Sequence, residues 1–128
     1  MKKLALICLL SASLISAGTA FAAKYPSVAI VNNTQTDISF DYKVCNAGED
    51  VCSGSGGYTM TKNEKRVNIK LHSPYLRMNE VYEVDDEGNR LPGGASTVLN
   101  GKECKGTGGQ IIILEKNASK QFICRVYA

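Results

Sequence analysis

The sequence predicts an all-β fold: a small antiparallel β-sandwich, or partly open barrel, of about seven short strands behind a leader segment. Three observations carry this. The stretches ISFDYKV (38–44) and RVNIKLH (66–72) alternate apolar and polar residues, the period-two pattern of a strand with one buried and one wet face. Other short runs rich in β-branched and aromatic residues recur along the chain, with Gly, Pro, Asn and Asp between them. Beyond residue 22 no segment holds a helical period over ten residues.

The first 22 of the 128 residues read as a secretory signal peptide. Lys2 and Lys3 give a short positive start that resembles bacterial export signals. An apolar run over 4–15 follows, and Ala20-Phe21-Ala22 offers small residues at the two positions a signal peptidase reads. Cleavage is expected after Ala22. The apolar run is short for a membrane helix and no second one follows, so no membrane span is expected in the mature form. Cys8 lies inside the run behind the bulky Ile7, which argues against a lipoprotein.

Setting those 22 residues aside leaves 106, enough for one domain, 23–128, and too few for two. Two of the 15 basic residues leave with the leader, so 13 stand against 12 acidic ones and the net charge falls to +1. The basicity belongs largely to the export signal. Nothing in the mature balance calls for nucleic acid or an anionic membrane.

The strands follow in order. Residues 28–31 (VAIV) form a first one, ended by Asn32-Asn33 as turn chemistry. Ile38, Phe40, Tyr42 and Val44 give the second its core face. A polar, glycine-rich segment (46–57) leads to a short strand over 58–61. Val67, Ile69 and Leu71 face inward in the next, and Ser73-Pro74 breaks it. Residues 78–85 are a fifth, with Met78, Tyr82 and Val84 toward the core. Residues 91–109 hold six glycines and a proline, with a brief strand over 96–99. The sequence closes on a hairpin, 110–127, turned at Asn117-Ala118-Ser119.

Of five cysteines, four remain after cleavage: Cys45, Cys52, Cys104 and Cys124. An even number in a small exported domain reads as two disulfides formed outside the cytoplasm, in the periplasm or after secretion. No ligand knuckle of metal-site spacing exists. Spacing permits three pairings. Cys45–Cys52 with Cys104–Cys124 is preferred, because the first closes the glycine-rich 46–57 loop and the second ties 91–109 to the hairpin.

No catalytic motif is present, and no cofactor is expected. His72 is the single histidine, so imidazole chemistry must run through it. It continues the polar face of Arg66 and Lys70, a basic stripe that reads either as half of cross-strand ion pairs with Asp37 and Asp41 or as a shallow anion site. Asp85, Asp86, Glu87 and Asn89 supply oxygens for a weak Ca²⁺ site, or simply a charged turn. Tyr58 and Tyr75, beside loops, suit a binding surface. Leu91-Pro92-Gly93-Gly94 suits presentation to a hydrolase.

These observations lead to an exported, non-enzymatic binding protein whose contacts sit on the loops 46–57 and 86–109, with a protein or glycan as partner. The alternatives are a protease or hydrolase inhibitor using Leu91, and a small hydrolase using His72. The terminal hairpin is apolar in both phases. Ile111, Ile113, Phe122, Cys124 and Val126 are assigned to its core face, leaving Ile112, Leu114, Ile123 and Tyr127 opposite. That second face needs a cover. The glycine-rich loop pinned by Cys104 is expected to supply it and to leave a monomer, the alternative being a homodimer through 110–127.

Overall fold

A computed structural model describes residues 25–99 and 103–128; the leader and its cleavage site lie outside them. The described residues form nine strands and no helix: β1 (Val28–Asn32), β2 (Ile38–Cys45), β3 (Cys52–Met60), β4 (Arg66–Ile69), β5 (Tyr75–Glu83), β6 (Ser96–Val98), β7 (Lys105–Thr107), β8 (Ile111–Lys116) and β9 (Phe122–Tyr127). They build two sheets. One runs β4-β1-β8-β9; the other runs β3-β2-β5-β6, with β7 also on β5. The all-β sandwich stands, with more strands than the sequence announced.

Between the sheets lies one core. Val28, Ile30, Ile112, Leu114 and Phe122 come from the first, and Ile38, Phe40, Leu76, Met78 and Val81 from the second. β1 is apolar on both faces because it is an inner strand. Its pairing with β8 corrects the antiparallel expectation: Ala29 to Asn32 run parallel to Ile111 to Leu114. A parallel pair needs a long crossover, and here the whole second sheet intervenes.

The longer β3 and the added β7 both come from glycine-rich sequence. Residues 52–57, expected in a loop, extend β3 along β2 with a register shift after Lys43. Gly54 takes φ 75°, the bulge conformation glycine adopts freely. The missing side chains also make room: a Cβ on Gly56 would sit 2.7 Å from the Tyr42 ring, and one on Gly54 2.8 Å from His72. β7 uses Gly106 to pass over Ile112 and Val28, which a Cβ would meet at 3.1 and 3.4 Å.

β5 starts at Tyr75, three residues before the expected Met78. Asp41 pairs with Glu80 and Tyr42 with Met78, so Asn79 is an extra residue. That bulge inverts the phase beyond it. Val81 is therefore buried in place of Tyr82, which turns outward beneath Arg90, 4.0 Å from its ring. The bulge is anchored from the edge strands: Leu99 N–H donates to Asn79 O at 2.7 Å and Met78 N–H to Cys104 O at 2.9 Å.

In the hairpin, Leu114 pairs with Cys124 and Ile112 with Val126. Ile112 and Leu114 are fully buried and share the core face with Phe122. Ile111 and Ile113 belong to the outer face with Ile123 and Tyr127, which reverses the expected phase of β8. The turn sets this, because its length decides which residues lie opposite. The described parts of 91–109 do not cover that outer face. β6 and β7 join the other sheet, and Cys104 meets Cys124 on the inner side.

Both preferred disulfides are present. Cys45–Cys52 joins directly paired residues of β2 and β3, and Cys104–Cys124 staples one sheet to the other. The expected ion pairs between Arg66 or Lys70 and Asp37 or Asp41 are absent among the described residues, because β4 neighbours β1 and lies in the sheet opposite β2. Asp37 instead accepts the Lys62 N–H at 2.7 Å.

Candidate functional site: an open-sided groove

β9 ends one sheet and β6 ends the other on the same side of the sandwich. β6 is three residues long, so it leaves the gap between the sheets partly open there. Two hollows occupy that gap. The first, about 510 Å³, lies between residues 91–95 and Glu83, Lys116 and Lys120. The second, about 440 Å³, lies between Thr97, Val98, Leu99 and Glu103 on one wall and residues 121–124 on the other. Their linings continue along the same two segments, so they are two cups of one groove. Thr97 Oγ1 accepts the Phe122 N–H at 2.9 Å at the junction.

Phe122 and Leu99 are buried and make an apolar floor, whereas Val98 on the rim is 80% exposed. A β-branched residue so bare on a sheet edge is the outlier of this surface. At the first cup, Lys116 Nζ contacts Glu83 Oε1 at 2.8 Å, and its ammonium lies 5.7 Å from the Phe122 ring centre. The hydrogen bond from Lys116 holds the Glu83 carboxyl below the ordinary carboxylate range against the opposing effect of burial, and the Ala95 N–H assists. Lys120 and Glu103 have no ion-pair partner among the described residues.

The residues singled out from sequence are dispersed. Leu91 alone lies in the groove, 37% exposed. Tyr58 stacks on Phe40, ring centres 6.1 Å apart, at the opposite edge of the sandwich, with its hydroxyl 3.4 Å from Glu64. Tyr75 lies under Lys105, whose Nζ is 5.0 Å from the ring and 2.8 Å from Glu49. His72 is exposed with Nε2 3.2 Å from Ser53 O. Arg66 and Lys70 are exposed on and just beyond β4. The structure therefore does not gather the tyrosines and basic residues into one surface.

The acidic turn is organised by its own backbone. Asp85 Oδ1 accepts N–H groups from Glu87 and Asn89, each at 2.9 Å. Among the described residues no three His, Cys, Asp or Glu side chains converge as a metal ion requires. On the outer face of the second sheet a denser polar cluster forms: Arg90 bonds both carboxylate oxygens of Glu80, at 3.1 and 3.2 Å, and Ser96 joins them. Arg90 pulls the Glu80 carboxyl below its ordinary range, against burial and with help from Ser96.

No protein-family model matches the chain, and no curated protein matches it. Among solved structures it is similar to the NMR structure of a protein from Eubacterium rectale, at 10% identity and a TM-score of 0.46, over 80% of this chain and 88% of that one. A likeness of that degree carries nothing about activity.

Sequence reasoning missed Thr97, Val98, Phe122, Lys116 and Lys120 as neighbours. Each was placed on a strand or turn, but the groove exists because β6 and β9 are both edges on one side. No local pattern announces that. Among the described residues no helix is long and apolar enough to cross a membrane.

Proposed function

We propose that the protein is an exported, non-enzymatic binding protein that engages its partner through the groove between β6 and β9, with residues 91–99 supplying one wall. Two disulfides support a place outside the cytoplasm. The observation that carries the binding reading is the groove itself: buried Phe122 and Leu99 at its floor, Val98 bare at its rim. Pockets of this size with an apolar base and few polar groups are the ordinary form of a recognition site. The partner expected from sequence, a protein or glycan, narrows toward protein, because the floor is aliphatic and aromatic in character and charged groups of both signs, Glu103 and Lys120, stand at its ends.

The test compares the mature protein with Val98→Arg and His72→Ala variants, all checked for native β-sheet circular dichroism. In pull-downs from culture supernatant and envelope extract, Val98→Arg is expected to lose a band that His72→Ala retains. Loss with His72→Ala and retention with Val98→Arg would reject the groove in favour of a histidine-dependent activity.

An inhibitor remains a second reading, supported by the bracing of the Leu91 turn. Leu91 N–H donates to Glu83 O at 3.0 Å and Gly94 N–H to Leu91 O at 2.9 Å. Residues presented to a protease need such bracing. Slowed cleavage of a casein substrate by a serine protease panel, abolished in Leu91→Gly, would support it.

A further inference from the structure

We infer that the groove takes an extended polypeptide segment by strand addition to β9, with one apolar side chain of that segment seated in the cup floored by Phe122 and Leu99; this rests on the groove being the binding site. The backbone ladder indicates which groups are free. Asn117 N–H donates to Gln121 O at 2.9 Å, and alternation then makes Glu115–Ile123 and Ile113–Arg125 the hydrogen-bonded pairs of the hairpin. The N–H and C=O groups of Phe122, Cys124 and Val126 consequently point out of the sheet. The Phe122 N–H does so, and Thr97 Oγ1 meets it. Cys124 and Val126 carry the next two sets, which have no hydrogen-bond partner among the described residues, at the spacing that another backbone matches.

The other edges carry devices that discourage such pairing. β4 has four residues, begins with exposed Arg66 and is followed by exposed Lys70. β3 is interrupted by the bulge at Gly54. β6 and β7 have three residues each. β9 has six residues in unbroken register, and its one charge, Arg125, is matched by Glu115 at 2.6 Å. It is the unguarded edge of the described structure.

Geometry and charge narrow the occupant. A residue directly opposite Cys124 directs its side chain to the same face as Cys124, which is inward, into the cup. Antiparallel addition, the stronger arrangement, runs the segment's C-terminal side toward Lys120 and its N-terminal side toward Glu103. The complementary segment therefore carries an apolar residue, a basic residue before it and an acidic residue after it. A second copy of β9 fits worse. Its own Cys124 would stand at the centre of a symmetric pair, bound to Cys104 and with nothing to fill the cup.

The experiment pans a random displayed heptapeptide library on the immobilised mature domain, with Val98→Arg as counter-selection. Enriched peptides are synthesised with and without an N-methyl group on the residue facing Cys124. The expected result is a Lys/Arg-x-apolar-x-Asp/Glu pattern, affinity weakened about tenfold or more by N-methylation, and slowed hydrogen exchange at the Cys124 and Val126 amides on binding. Equal affinity of the N-methyl peptide, or unchanged exchange at both amides, would overturn strand addition. So would a β9-mediated dimer in sedimentation. If no peptide is enriched while the pull-down band still depends on Val98, strand addition falls and the groove reading survives.

Discussion

Asn32 supports the junction of the two sheets, and removing its side chain tests the packing of the fold at one point. The residue ends β1 with 1% of its surface exposed. Its Nδ2 donates to Thr36 O at 3.0 Å and Thr61 O at 3.2 Å, while Oδ1 accepts from Thr34 N–H at 3.1 Å and Thr34 Oγ1 at 2.6 Å. The losses in Asn32→Ala are unequal. Thr61 O keeps the Glu64 N–H, and Thr34 Oγ1 keeps Thr36. The buried Thr34 N–H keeps nothing. With about 1 kcal/mol for a hydrogen bond and 1–3 kcal/mol for an orphaned buried donor, the expected cost is about 2–4 kcal/mol. For a domain of this size that lowers Tm by roughly 10–25 °C. Urea unfolding followed by circular dichroism measures the cost, with exposed Asn33→Ala as the control. An Asn32→Ala midpoint within about 0.5 kcal/mol of wild type, or equal to that of Asn33→Ala, refutes the reasoning. Asn32→Asp adds a second arm: it aims a carboxylate oxygen at two carbonyls, so it is destabilised at neutral pH and recovers stability as acidification protonates it.

Three further outcomes are expected. Replacing Cys104 and Cys124 by Ser opens a loop of separation 20, and replacing Cys45 and Cys52 opens one of 7. On chain entropy the first costs about 3.3 kcal/mol and the second about 2.4 kcal/mol, so denaturant midpoints are expected to fall in that order. Gly108→Ala places a Cβ 2.5 Å from the Pro26 carbonyl oxygen, and because backbone must move, a Tm loss larger than that of Gly48→Ala, whose Cβ meets only the movable Asp50 side chain, is expected by calorimetry. Lys116→Met keeps the stem over Phe122 and removes the ion pair with Glu83. A carboxyl whose folded pKa is depressed adds stability above its unfolded pKa and loses it as pH falls through the folded value. Wild type is therefore expected to be the more stable at pH 7, with the two melting curves converging below about pH 4.

Much of the fold was legible because it rests on local period. β2 and β4 alternate cleanly, and Ile38, Phe40, Val67 and Ile69 are buried as that alternation requires. Cysteine parity and loop chemistry led to the two disulfides. The errors share one cause: a register that depends on a partner strand. Nothing in MNEVYEVD marks Asn79 as a bulge, so its period points Tyr82 inward. The run QIIILEK leaves the phase of β8 open, and only the cross-turn pairing of Lys116 with Phe122 turns Ile112 inward and Ile111 outward. Asn32 read as turn chemistry, and its burial follows from Thr61 and Lys65, which chain tracing alone does not bring near. Ile112 is buried in the core, so a dimer through the hairpin is tested by Ile113→Lys on the outer face.

The groove was the least legible feature, and the reason is physical. FICRVY is apolar on both faces, which reads as an inner strand. It is an edge strand, and each face has a separate cause. Phe122, Cys124 and Val126 face the core, while Ile123 continues the outer row of Ile111 and Ile113. Hydrophobicity records how much surface a strand buries on its faces and is silent on whether its backbone has a neighbour. An inner-strand composition at an edge is therefore informative. The sheet stops at β9 although its residues suit another strand beside it, and β6 opposite is too short to close the gap. A strand with that composition, free backbone groups at Cys124 and Val126, and an adjoining apolar cup has the three elements that strand addition requires.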